Sequence, residues 1–73
     1  MNDAVKEEVR LTRRETQVLR LLACGRTHSQ AARELGMSAN TIGTHVKNAY
    51  QKLGVHCVAA AVVRAIQLGV IRI

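Results

Sequence analysis

Residues 28–55, HSQAARELGMSANTIGTHVKNAYQKLGV, hold two short apolar periodicities divided by a break of only a few residues. In the second half, Ile42, His45, Val46, Ala49, Tyr50 and Leu53 recur at the i, i+3, i+4, i+7 spacing of one buried helical stripe. A helix over 39–53 follows. Its opposite face, Asn40, Gly43, Thr44, Lys47, Asn48 and Gln51, is polar or small and carries no negative charge. In the first half, Ala31, Ala32 and Leu35 give a shorter helix over 28–35. The intervening ELGMS allows only a sharp turn, so the two helices must cross steeply. Ala32 is small enough to let them approach, Gly36 turns the chain, and Ile42 plugs the angle between them. Ser38 can cap the second of the pair, although Thr41 stands where a capping box has Glu or Gln.

Such a pair is a helix-turn-helix unit, and the flanking sequence extends it. Thr12 followed by Glu15, and Thr27 followed by Gln30, match the reciprocal capping box and mark two helix starts. Gly25, Gly36, Gly54 and Gly69 supply stops. The expected elements are four helices at about 12–24, 28–35, 39–53 and 57–68, within the few residues to which boundaries can be read; the last starts near His56 or Cys57 without a good cap. The first helix should bury Leu11, Val18 and Leu22 with Leu19 and Leu21. The fold class is therefore all-α: a four-helix helix-turn-helix domain over 11–73 whose last helix serves dimerisation, preceded by a flexible lead-in or linker over 1–10. Gly43 alone has no stop to make, and inside a helix it costs about 1 kcal/mol against alanine.

Length and charge narrow the function. Seventy-three residues make one small domain, near the size at which a core without metal or disulfide suffices. Eleven Lys and Arg against five Asp and Glu give a formal charge of +6 and a pI near 10.4, a bias toward polyanions. Residues 35–73 carry no side-chain carboxylate, so the positive field lies mainly there. No apolar run could span a bilayer and no signal peptide is evident, so the expected location is the cytoplasm, with Cys24 and Cys57 as free thiols.

The segment LTRRETQVLRLLACGRTHSQAARELGMSANTIGTHVKNAYQKLGV resembles the LuxR/FixJ/GerE type of bacterial DNA-binding domain, and the resemblance covers residues 11–71. Leu11, Thr12, Arg14 and Glu15 match the family's opening Leu-Thr-x-Arg-Glu; Leu21, Leu22, Ala23 and Gly25 match Leu-Leu-Ala-x-Gly. Thr41, Ile42 and His45 match the third-helix pattern, and Lys52-Leu53-Gly54-Val55 closes it. The resemblance implies a third helix that reads the major groove and a fourth that mediates dimerisation on DNA. Two positions depart from the family, which usually has Lys in place of Gly43 and often Arg in place of Val58.

The candidate contacts follow from the helix-turn-helix arrangement, in which the second helix of the unit presents side chains to base edges. Asn40, Gly43, Thr44, Lys47 and Asn48 are the expected base contacts. Thr27, His28, Ser29, Gln30, Ser38, Thr41, Gln51 and Lys52 are the expected phosphate contacts, several of them beside helix N-termini that attract anions. Lacking a side chain, Gly43 could let the duplex approach closely; an exposed helical glycine is otherwise merely tolerated. His45 is expected as a packed, hydrogen-bonded core histidine. One tyrosine and no other aromatic disfavour single-strand or RNA binding, which stacks bases on several rings.

The fourth helix is expected to bury Val58, Ala61, Val62, Ala65 and Ile66 and to present Ala59, Ala60, Val63, Arg64 and Gln67 to a second copy. Expected partners are thus double-stranded DNA and a homodimer mate, with no membrane and no small-molecule ligand. No cofactor is expected. Cys24 and His28, or His56 beside Cys57, lack a zinc-binding spacing, and there is no phosphate-cradling loop, nucleophile elbow or carboxylate pair, so neither a metal site nor an enzyme is expected. The expected function is a sequence-specific transcription regulator bound as a dimer to an inverted repeat. The other reading is an interaction module that titrates a related regulator through its fourth helix.

Overall fold

The computed structural model describes residues 9–72. Four helices follow in order: α1 (Arg13–Ala23), α2 (His28–Leu35), α3 (Ala39–Leu53) and α4 (Val58–Gln67); among the described residues there is no strand. Of the expected lead-in, residues 1–8 lie outside the described residues, and Val9 packs against the core.

Both capping boxes form. Thr12 Oγ1 accepts from the Glu15 amide at 3.0 Å while Glu15 Oε1 accepts from the Thr12 amide at 2.9 Å, and Thr27 and Gln30 repeat the exchange at 3.1 and 2.9 Å. Each box satisfies two amides that a helix start would leave unpaired. α2 ends at Gly36 in the left-handed conformation, φ 67°, where the Met37 amide reaches back to the Ala32 carbonyl at 2.9 Å. That closure sets the sharp turn into α3, because only glycine adopts this backbone without strain.

The core falls into two clusters. Val18, Leu22, Ala31, Ala32, Ile42 and Val46 join α1 and α2 to the first half of α3. Leu19, Leu53, Ala61, Ala65 and Ile71 join α1 and the end of α3 to α4 and the C-terminal tail, which folds back through a Val70 amide to Ala65 carbonyl bond of 2.8 Å. Tyr50 packs against both. Ile42 is fully buried in the angle between α2 and α3, the plug position.

Two expected core positions of α4 belong outside. Val58 is 40% exposed and Ile66 42%. The buried side of α4 is narrow and centres on Ala61 and Ala65; Ile66 lies one turn from Val63 on the other side, and Val58 sits at the uncapped start, where Cys57 makes no side-chain cap bond. His45 is likewise only half-buried, and its imidazole makes no hydrogen bond among the described residues, because it lies at the edge of the α3 stripe and not at its centre.

Candidate nucleic-acid interface

The buried stripe of α3 is Ile42, Val46, Ala49 and Leu53, and the side opposite it faces solvent. There Asn40, Thr44, Lys47 and Gln51 are exposed and Asn48 is half-buried. The ridge carries one cation, several amides and a hydroxyl, and no carboxylate, so it offers donors and acceptors to a polyanion without repulsion. Thr44 Oγ1 donates to the Asn40 carbonyl at 3.1 Å. Its hydroxyl proton is thereby committed within the helix, and what it presents outward is an acceptor.

At the N-terminus of α3, Ser38 Oγ accepts from the Thr41 amide at 3.1 Å and lies 2.9 Å from Thr41 Oγ1. At the N-terminus of α2, Thr27, His28, Ser29 and Gln30 are all exposed. The capping box engages the oxygen of the Gln30 amide, which leaves the Gln30 side-chain NH2 and the Thr27 hydroxyl proton to donate outward. Both helix starts therefore present donors and the positive end of a helix dipole.

Lys52 occupies the other flank of α3, toward α1. Its Nζ lies 2.8 Å from Glu15 Oε1, and the lysine side chain remains 38% exposed while the glutamate is 3% exposed. Burial pushes the Glu15 carboxyl up, but the hydrogen bonds from Lys52 and Thr12 together with the Lys52 charge outweigh it and hold the carboxyl below its ordinary value. The pair joins α1 to the last turn of the ridge-bearing helix. In the sequence Glu15 reads only as a cap; the signal for more is the coincidence of a lone acid at a buried-side position of α1 with a lysine at the end of the apolar stripe of α3.

Gly43 sits between the ridge and an open cleft of about 590 Å³ bounded by Gly43, Val46, Lys47, Tyr50, Val55 and His56. A Cβ built on Gly43 meets nothing within 4 Å, and its φ is not positive, so neither packing within the chain nor backbone geometry calls for glycine here. Burial, then the neighbouring Cys57, pushes the Tyr50 phenol up, which keeps it neutral. Among the described residues no group of His, Cys, Asp and Glu is arranged to hold a metal, and no helix is long and apolar enough to cross a membrane.

With this geometry in view, the model of the family described as bacterial regulatory proteins, luxR family, matches residues 9–65. The chain belongs to that family. It is 52% identical over 58 residues to the HTH-type transcriptional regulator MalT of Serratia proteamaculans (strain 568), a match that takes in 80% of this chain and 6% of MalT. The chain thus spans a small fraction of that relative's length. Among solved structures, the transcription factor GerE superposes with a TM-score of 0.77 at 30% identity, covering 86% of this chain and 92% of GerE. The response regulator ChrA of a haem-sensing two-component system superposes with a TM-score of 0.83 at 36% identity, covering 92% of this chain and 33% of ChrA. The luxR-family domain described here is thus similar in fold to GerE over nearly the whole of that chain.

Proposed function

We propose that this luxR-family domain is a non-enzymatic, cytoplasmic regulator module that binds double-stranded DNA in a sequence-specific way, with α3 in the major groove, as a dimer on an inverted repeat. The observation that carries the reading is the α3 ridge of exposed Asn40, Thr44, Lys47 and Gln51 with half-buried Asn48 beside them. The helix starts at Thr27 and Ser38 flank it with donors suited to phosphates. The names of MalT and GerE as transcription regulators support the same reading.

Dimerisation rests on α4. Ala59, Val63 and Ile66 line its outer side at i, i+4, i+7 spacing, with Val63 54% exposed, and Ala60, Arg64 and Gln67 border them. Two such ridges can meet across a two-fold axis, and that symmetry matches an inverted repeat. Selection of bound sites from a random duplex pool, followed by gel shifts at several salt concentrations, tests the proposal. Enriched palindromic sites with a steep salt dependence support it. An interaction module would enrich no sequence and would retain DNA only weakly, and that result would overturn it.

A further inference from the structure

The cleft beside α3 has a composition that the ridge does not. Val46, the Tyr50 ring and Val55 give it apolar walls, Lys47 and Gln51 stand at its ridge side, and no carboxylate lines it. Gly43 opens its edge toward the ridge, and any larger residue there would partly close it. Within the chain neither packing nor backbone geometry calls for glycine at this position, which leaves the space beside it open to a group from outside.

Resting on the DNA-binding reading above, we infer that the Gly43 edge of this cleft is a notch for the C5-methyl group of a thymine, making Gly43 a specificity-determining residue. The major groove presents hydrogen-bonding edges at every base pair and a single kind of apolar group, the thymine methyl. An apolar notch beside a groove-reading ridge has that one chemical match. Lys47, one turn on from Gly43, holds the adjacent strand or a neighbouring base edge while the methyl is received where a side chain is missing.

The test uses the sites recovered from the random pool. Each thymine of the operator is replaced in turn by uracil, which removes the methyl group and keeps every hydrogen-bonding edge. The wild-type chain should lose about fourfold in affinity at one thymine per half-site, the worth of one buried methyl. Gly43→Leu, with helix content checked by circular dichroism, should bring the thymine-to-uracil ratio at that position to one. Gly43→Ala, adding one carbon where the chain itself leaves 4 Å clear, should lower the ratio and serves if leucine abolishes binding. Equal affinity for thymine and uracil at every position overturns the inference, as does a thymine preference that survives both substitutions. With Gly43→Ala, a uniform loss across all sequences that leaves the thymine-to-uracil ratio unchanged would mean that a phosphate occupies the cleft, and also overturns it. A pool that yields no enriched site defeats the sequence-specific reading itself.

Discussion

Glu15 and Lys52, 37 positions apart in the chain, meet at 2.8 Å and tie the first turn of α1 to the last turn of α3. The carboxylate is buried and the ammonium half-exposed, so the two partners are not equivalent. Lys52→Met would leave a buried carboxylate with only the Thr12 bonds, at a cost of about 1–2 kcal/mol, below the range for fully buried pairs because water still screens the lysine side. Chemical denaturation of the single and double variants should give a coupling energy that identifies the pair.

The same carboxyl makes stability sensitive to acid. Its folded pKa lies below the unfolded value, so the native state favours the ionised form. The contribution is present above the ordinary glutamate pKa of about 4.3 and is lost as pH falls through the lower folded value. Melting temperature followed from pH 6 to pH 2, a range of about four units, should fall in wild type, and Glu15→Gln should flatten that part of the fall.

Gly43→Ala should stabilise the fold. The position is helical, has ordinary φ and leaves open space for a methyl, so the gain is about 1 kcal/mol. Thermal melting should rise by roughly 4–8 °C, the response of a domain this small. A fall would show that the helix needs glycine for a reason within the chain.

Lys47 is the one cation on the outward ridge of α3. If it reads a guanine, Lys47→Ala should relax preference at one operator position at a cost of about 1–3 kcal/mol. If it holds a phosphate, binding should weaken for all sequences alike and the salt slope should drop by about one. Competition gel shifts on single-base operator variants separate the two.

The outer side of α4 should govern assembly. Val63→Asp places a charge where two ridges would meet, and the substituted side chain is already exposed, so folding should be little affected. Sedimentation should show a monomer, and operator affinity should fall by roughly tenfold or more.

The helices were legible because their punctuation is local: Thr12 with Glu15, Thr27 with Gln30, Ser38, and the glycines at 36 and 54 each act within one turn. The ridge of α3 followed from a clean 3.6 period. What escaped depends on contacts distant in sequence. The Glu15–Lys52 pair joins helices that only the tertiary fold brings together, and Ile71 is buried because the tail returns onto α4. In α4, so many residues are apolar that periodicity cannot say which side is inward, and Val58 and Ile66, which read as inward, are exposed. His45 shows the same limit at the edge of a stripe.

Tyr50 touches both halves of the core and is the only residue among Phe, Tyr and Trp that the sequence contains. Nature has thereby installed an optical gauge at the seam: its ultraviolet emission, unmixed with any tryptophan signal, senses loosening of either half. Fluorescence and circular dichroism that change in step on heating would mean that the ridge-bearing half and the α4 half melt as one body, without any label being attached.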